Sequence, residues 1–324
     1  MYKPFFGLTR NPFDITPDPS FLFSTKKHNE ALAALYYGVK RRKGFVVLTG
    51  EVGTGKTVLV RRLFQMLSGT QIAFAYLFNP LLSSMEFLQY VAGDLRIPNA
   101  GKSKSELLVA LSRYAISRYQ KGATTLLVVD EAHHLSAELL EEIRLLTNLE
   151  TASAKLLQIL LIGQPELDYK LDSVDLRQLK QRIGVRAYLS ALDLRETCGY
   201  VYHRLEIAGN KYPSAVFPMD TVVELHRQSG GYPRLVNTLC ENALAHGFAN
   251  KSPRISPEMI EEIATDFRLR ALHPPATQRH GLANPSSEVV QAAKTLLDLY
   301  SQLRGEQASG EDSKLTVGAG AGQE

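Results

Sequence analysis

The chain has 324 residues, of which 44% are hydrophobic and 22% charged, with 23 glycines and 15 prolines. At roughly 150 residues per domain, this length predicts about two domains. The composition excludes a collagen-like chain, a disulfide framework and a wholly disordered protein, and the formal charge of +4 is too small to indicate a nucleic-acid partner by itself. The longest apolar stretches, such as 159–162, fall far short of the ~18 residues of a membrane helix.

Residues 1–43 form a lead that is rich in proline and aromatic side chains. It contains no continuous apolar core of the kind that a secretory signal requires. Its end, Asn29–Arg42, places Leu32, Leu35 and Val39 at helical spacing, which predicts a helix. The lead is therefore expected to end in a helix of the folded protein and not to act as a secretory signal.

Residues 44–190 alternate short apolar runs with amphipathic helices, a pattern typical of a parallel sheet covered on both faces. The predicted strands are Phe45–Thr49, Ile72–Leu77, Thr125–Val129, Leu156–Ile162 and Val185–Leu189. We therefore expect an α/β domain over these residues.

Residues 191–270 lose the strand pattern and predict a small, all-helical domain. The predicted helices are Arg195–Ala208, Asp220–Ser229, Pro233–Ala249 and Pro257–Leu269. The last has a clear start, because Ser256 is a favoured N-cap residue and Pro257 suits the first helical position.

Three further segments complete the chain. Residues 271–287 read as a linker, Glu288–Arg304 as one amphipathic helix, and 305–324 as a disordered tail with few apolar residues. The two cysteines, Cys198 and Cys240, fall in helical patterns. They are predicted to be buried free thiols, which is typical of a reducing cytosol, and a cytoplasmic location is expected.

The most specific motif joins the first predicted strand to the helix that follows it. It reads Gly50, Glu51, Val52, Gly53, Thr54, Gly55, Lys56, Thr57, a match to G-x-x-x-x-G-K-[ST] in the required strand–helix context. Its glycines let backbone N–H groups surround phosphate oxygens, and the helix N-terminus adds positive potential. Lys56 can reach the β- and γ-phosphates and the Thr57 hydroxyl can ligate Mg²⁺. The motif predicts a site for a nucleoside triphosphate.

A second motif ends the third predicted strand in two carboxylates, Asp130 and Glu131. The carboxyl ends of parallel strands form the ligand-binding edge of such a sheet. Asp130 is predicted to hold Mg²⁺, and Glu131 to polarise the water that attacks the γ-phosphate. The alternative is an acidic first turn that is favourable only through the helix dipole.

His133 and His134 follow directly in the string DEAHH. Because neighbouring helical positions point about 100° apart, the two rings are not expected to converge on one metal ion. The spelling DEAH also suggests a helicase, which we discount since no second tandem sheet domain follows within the chain.

Three other polar positions are weaker candidates. Gln164 ends the predicted strand LLQILLIG and can sense the γ-phosphate or position water, or it can simply begin a loop. The basic side chains of the segment Leu176–Ile183 can act at the nucleotide site, or they can merely offset the negative end of a helix dipole. Arg234, after Ser229-Gly230-Gly231, can point back to the nucleotide or stay solvated.

Together these residues resemble an AAA+ ATPase, over roughly residues 1–270. The resemblance rests on the order phosphate loop, DEAHHL, LLIGQPEL, LKQRIGVRAYLSAL and SGGYPRLVNTLCENAL. The opening YKPFFGLTRNPFDITPDPSFLFSTKKHNEALAAL is similar to the general secretion pathway protein A (ExeA-type) family. This resemblance implies a P-loop sheet sandwiched by helices, a helical lid and ring-like homo-oligomers.

The resemblance also implies residue roles. Gln164 takes the sensor-1 position, Arg182 that of an arginine finger acting on a neighbouring subunit, and Arg234 that of the lid arginine, sensor 2. Arg177 and Arg186 are the other candidates for the arginine finger. His28 and the aromatic segment before it fall where such ATPases contact the adenine base.

The expected function is Mg²⁺-dependent ATP binding and hydrolysis that assembles or energises a secretion or pilus-type system through a protein partner. Secretion-linked members of the family carry a membrane span and a peptidoglycan-binding domain after the ATPase. Neither is expected in residues 271–324, which contain no apolar 20-residue stretch. The alternative is a DNA-bound AAA+ ATPase of the transposition-regulator type, whose binding would depend steeply on salt; a nucleotide-dependent switch is a third possibility.

Overall fold

The computed structural model describes residues 1–14, 16, 18–98, 101–152 and 154–269. Its centre is a parallel five-stranded sheet in the order β2-β3-β4-β1-β5. The strands are β1 (Phe45–Gly50), β2 (Ile72–Leu77), β3 (Thr124–Val129), β4 (Leu157–Gly163) and β5 (Ile183–Leu189). This confirms the predicted parallel α/β sheet, and each strand lies within two residues of its predicted bounds.

Helices follow the strands and then continue alone. They are α1 (Lys26–Lys40), α2 (Lys56–Leu67), α3 (Ser84–Asp94), α4 (Lys104–Gln120), α5 (Ala137–Leu146), α6 (Glu166–Leu171), α7 (Arg177–Lys180), α8 (Leu194–Ile207), α9 (Pro213–Val216), α10 (Met219–Ser229), α11 (Pro233–Ala249) and α12 (Pro257–Asp266). Shorter 3₁₀ turns occupy Pro4–Phe6, Pro19–Phe21 and Ala132–His134. The N-cap predicted at Ser256 is present, because its hydroxyl accepts the backbone N–H of Met259.

The helices cover the sheet on both faces, and the three inner strands, β1, β3 and β4, are buried almost throughout. On one face, α3, α4 and α5 contribute a continuous core with the inward side chains of the strands. On the other face lie α1 and α2. Gly38 of α1 permits close contact there, because a Cβ at this position would lie 2.6 Å from Cγ2 of Val46.

The helical region after β5 has its own core, built from α8, α10, α11 and α12. The start of the chain belongs to this core. Buried aromatic and aliphatic side chains of the lead pack among the helices: Tyr2, Phe6, Leu8, Phe13 and Phe21. Residues 1–43, predicted as one zone, thus pack against two different parts of the protein. The first part packs into the core of the helical region, and α1 packs against the sheet.

The predicted linker 271–287, the helix Glu288–Arg304 and the tail 305–324 lie outside the described residues. Within the described part of the chain, no helix combines the length and the apolar character needed to cross a bilayer. Both cysteines are free thiols, Cys240 fully buried and Cys198 half-buried.

Candidate functional site

The loop between β1 and α2 has the backbone of an anion cradle. Gly53 and Gly55 adopt φ values of +80° and +97°, a region in which side chains other than glycine are disfavoured. Gly55 caps α2 without a side-chain hydrogen bond, so the first N–H groups of the helix remain for a ligand. Thr54 is fully buried and its hydroxyl donates to the Glu51 carbonyl at 2.8 Å, which fixes the curve of the loop.

Lys56 begins α2 and folds back over this loop. Its Nζ donates to the carbonyls of Gly50 at 2.6 Å and Glu51 at 3.1 Å. Burial lowers the pKa of the Lys56 ammonium, and the Glu131 and Asp130 carboxylates oppose this shift. A partly desolvated ammonium of this kind gains an anionic partner at little further desolvation cost.

A cavity of about 350 Å³ opens over the loop. Its lining brings together most of the residues that the sequence singled out: residues 52–57 of the loop, His28, Asp130, Glu131, Gln164 and Arg234. Groups from the lead, the sheet edge and the helical region thus meet in one space. The volume lies at the lower end of the range for small-molecule sites.

Asp130 lies at the carboxyl end of β3 and both of its oxygens are engaged. Oδ1 accepts the backbone N–H of Glu131 at 2.9 Å, and Oδ2 accepts the hydroxyl of Tyr76 at 2.9 Å. The carboxylate is therefore held in one orientation at the edge of the cavity.

Glu131 has a left-handed backbone, with φ +50° and ψ +35°. For a residue with a Cβ this conformation costs about 1–3 kcal/mol, and such strain clusters at functional sites. Its carboxylate is half exposed, and Oε2 lies 3.4 Å from Nδ1 of His133.

His133 connects Glu131 to Gln164. Its Nε2 lies 3.0 Å from Nε2 of Gln164, and burial lowers the pKa of the imidazole, which favours the neutral ring. The rings of His133 and His134 lie with their centroids 4.0 Å apart, on a 3₁₀ turn and not on the α-helix assumed from the sequence. That the two rings do not share a metal ion stays a prediction. Sequence reasoning considered His133 only as a metal ligand and missed its contact with Gln164.

The helical region touches the phosphate loop through the start of α11. The backbone N–H of Arg234 donates to the Gly53 carbonyl at 3.2 Å. The Arg234 side chain is exposed and lines the cavity. The role of Arg234 as sensor 2 stays a prediction.

We expect Gly53→Ala to weaken ATP binding by roughly 10-fold or more, as overpacking of 1–3 kcal/mol implies. A Cβ there would lie 2.6 Å from Cβ of Arg234, so the loop and α11 must separate. Gly69→Ala is the matched control, since Gly69 has φ +84° and open space around its Cβ position. Calorimetric titration with ATP measures the affinity of both variants. Both place alanine at a positive φ and therefore share the same kind of backbone strain. Equal affinities would show that the contact between Gly53 and Arg234 is irrelevant to binding.

His28 is buried beside the loop. Its Nδ1 lies 2.8 Å from the Thr25 hydroxyl, and burial lowers the pKa of its imidazole. A Cβ placed on Gly55 would lie 3.6 Å from His28 Nε2, so the ring faces the phosphate loop. Its contact with a base stays a prediction.

Further residues complete the cavity beyond His28. Arg204 is 8% exposed and donates through Nε to the Pro12 carbonyl and through Nη1 to the Tyr200 hydroxyl. Tyr200 donates in turn to Oδ1 of Asn237 at 2.8 Å. Sequence reasoning missed this network, since its members lie in the lead, α8 and α11 and become neighbours only in the folded chain.

None of the three candidate finger arginines lines the cavity. Arg182 donates from Nη1 to Thr147 Oγ1 and to Asn148 Oδ1, both at 2.7 Å, at the end of α5. Arg186 forms ion pairs with two acidic side chains, Asp168 at 3.2 Å and Asp172 at 3.5 Å. Arg177 is exposed at the start of α7. Action on a neighbouring subunit stays a prediction for each.

Residues 39–171 match an AAA domain family. General secretion pathway protein A of Aeromonas hydrophila is 44% identical over 256 residues, which is 79% of this chain and 46% of the relative. The chain thus spans about half the length of that relative.

Two solved structures share the fold. The ORC2 protein of Aeropyrum pernix, in ADPNP–ADP complexes, is 19% identical with a TM-score of 0.59, over 79% of this chain and 71% of that one. Cdc6p of Pyrobaculum aerophilum is 19% identical with a TM-score of 0.61, over 77% of this chain and 71% of the other. At these identities the likeness concerns the fold alone.

Proposed function

The chain belongs to the AAA+ ATPase family of general secretion pathway protein A, and on this premise we propose that it binds and hydrolyses ATP with Mg²⁺ in the cavity above β1 and β3. The observation that carries the proposal is the meeting of the phosphate loop with the Asp130 and Glu131 carboxylates in one cavity. The phosphates would lie on the loop and on the N-terminus of α2, where N–H groups and the Lys56 ammonium supply positive charge.

The residues present fit Mg²⁺. The ion prefers oxygen ligands and keeps several of its waters. Thr57, exposed in the first turn of α2, would offer a hydroxyl, and Asp130 would offer carboxylate oxygens to the water shell. When bound, Mg²⁺ neutralises charge on the β- and γ-phosphate oxygens.

Glu131 is the residue that we assign to the activation of water. Its carboxylate is solvent-accessible yet close to His133, which is itself in contact with Gln164. These contacts restrict the direction in which the carboxylate can accept a proton. Lys56 and Arg234 would stabilise charge on the transferring phosphoryl group.

Lys56→Ala is expected to weaken ATP binding by roughly 10- to 100-fold, because it removes a charged hydrogen-bond donor from the phosphate site. Lys26→Ala is the control, since the Lys26 side chain is 88% exposed at the start of α1. Isothermal titration calorimetry with ATP and Mg²⁺ measures both. Wild-type affinity in the Lys56 variant would overturn the proposed site.

The proposed cellular role is to assemble or energise a secretion or pilus-type system from the cytoplasm as a homo-oligomer. The name of the Aeromonas relative supports this role, although the chain spans 46% of that protein. Isolation of the protein from its native cells with ATP bound would test it. We expect components of an envelope secretion system to co-purify, and recovery with a transposase or with duplex DNA would contradict the role.

A further inference from the structure

Tyr76 connects the edge strand of the sheet to the candidate metal site. It lies in β2, beside Val128 of β3 in the parallel register, and its hydroxyl reaches Oδ2 of Asp130 at 2.9 Å. The phenol hydroxyl carries a proton to donate, and the ionised Asp130 carboxylate can only accept. The hydroxyl is therefore the donor.

The backbone of Tyr76 is anchored from the outer side of the sheet. As β2 is an edge strand, its outward N–H and carbonyl groups have no strand partner among the described residues. At Tyr76 both are satisfied by α3: the N–H donates to Asp94 Oδ2 at 2.7 Å, and the carbonyl accepts the Tyr90 hydroxyl at 2.9 Å. This anchoring fixes where the phenol can reach.

The ring of Tyr76 is also held by aromatic neighbours. The ring centroids of Phe78 and Phe64 lie 4.3 Å and 6.0 Å away, and Phe64 stacks on Phe74 at 4.8 Å. These ring contacts do not involve the hydroxyl, so they remain when the hydroxyl is removed.

We propose that Tyr76 is a positioning residue that orients Asp130 toward the Mg²⁺ of the bound nucleotide. The inference rests on the proposed function, because it assumes that Asp130 serves the metal. With Oδ2 held by Tyr76 and Oδ1 by the Glu131 N–H, the carboxylate presents its remaining lone pairs in one direction. Without the hydroxyl, only one of these two restraints remains, and the carboxylate can rotate.

The test is Tyr76→Phe in the full chain, which removes one oxygen and keeps the aromatic packing. A fluorescent, non-hydrolysable ATP analogue is titrated while free Mg²⁺ is varied, and the Mg²⁺ concentration that gives half of the affinity gain is recorded. Loss of an outer-shell partner lowers metal affinity by roughly 10–100-fold, so we expect this midpoint to rise by about 10-fold. Affinity in EDTA should stay within about twofold of wild type, because the phosphate loop is untouched.

Two controls separate positioning from general stability. Tyr202→Phe removes another hydroxyl that is hydrogen-bonded, at 3.0 Å to the Phe217 carbonyl, in the helical region; it should leave the midpoint unchanged. In an Asp130→Asn background, Tyr76→Phe should have no further effect on the midpoint, since Tyr76 acts through Asp130.

Three outcomes would overturn the inference. An unchanged midpoint in Tyr76→Phe, beside normal Mg²⁺ dependence of the wild type, would refute the role of Tyr76 alone. A full additional effect in the Asp130→Asn background would show that Tyr76 does not act through this carboxylate. Nucleotide binding by the wild type without any dependence on Mg²⁺ would overturn the proposed metal site and this inference together.

Discussion

Replacement of Glu131 by glutamine is expected to slow ATP hydrolysis by roughly 10²- to 10⁴-fold, the usual contribution of a general base. Glutamine keeps the shape of the side chain and the Cβ that the left-handed backbone already accommodates, but it cannot take a proton from water. Affinity for Mg²⁺-ATP should stay close to that of the wild type, because the phosphate loop and Asp130 are intact. The rate of phosphate release measures turnover, and titration with a fluorescent ATP analogue measures affinity.

Glu138→Gln serves as the control for this variant. Glu138 lies in the exposed first turn of α5, close in sequence and outside the cavity lining, so its loss should leave turnover unchanged. Retention of wild-type turnover by Glu131→Gln would refute the assignment of this carboxylate to catalysis. Loss of both binding and turnover would instead assign Glu131 to the nucleotide site itself.

The largest effect is expected when the arginine that acts between subunits is removed. A guanidinium delivered to the γ-phosphoryl group contributes roughly 10³ to 10⁵ in rate in other nucleotidases. Arg182→Ala should therefore bind ATP and lose most of its turnover, and specific activity of the wild type should rise with protein concentration. To act on a neighbour, Arg182 must exchange its bonds to Thr147 and Asn148 for bonds to phosphate.

Mixed oligomers give the decisive measurement. When Arg182→Ala is combined with Glu131→Gln, one type of interface has both an intact Glu131 and an intact Arg182, and part of the activity should return. The same mixing experiment with Arg177→Ala or Arg186→Ala shows whether either arginine acts on a neighbouring subunit instead. Arg177→Ala removes a side chain that is exposed on α7, whereas Arg186→Ala breaks ion pairs within the subunit. Unchanged activity per subunit on dilution to the monomer would contradict any mechanism between subunits.

The sequence predicted the sheet well because its signals are local. The three inner strands, β1, β3 and β4, are largely apolar runs with two buried faces. The phosphate loop is a contiguous motif whose glycines require positive φ angles, as Gly53 and Gly55 show. The short helix α9 was not predicted, since four residues contain no periodicity.

The rest of the site could not be found in this way, because its contacts join distant positions. Tyr76 and Asp130 are 54 residues apart in the chain, and only the parallel register of β2 and β3 brings them together. His133 was interpreted through an α-helical geometry, whereas the left-handed Glu131 and the following 3₁₀ turn direct its ring toward Gln164. A backbone of that kind is set by the folded edge of the sheet and leaves no pattern in the residue types.

The aromatic lead has a consequence for the order in which the protein folds as it is made. Tyr2 donates its hydroxyl to the carboxylate of Glu241, a partner 239 residues later in the chain, whereas the last strand of the sheet ends at Leu189. At a synthesis rate of roughly 5–20 residues per second, the first aromatic side chains wait on the order of ten seconds or more for their core. The sheet can close during this interval, while Phe6 and Phe13 remain uncovered. The nascent chain therefore presents this aromatic lead as an apolar segment for chaperones until the helices after β5 have been synthesised.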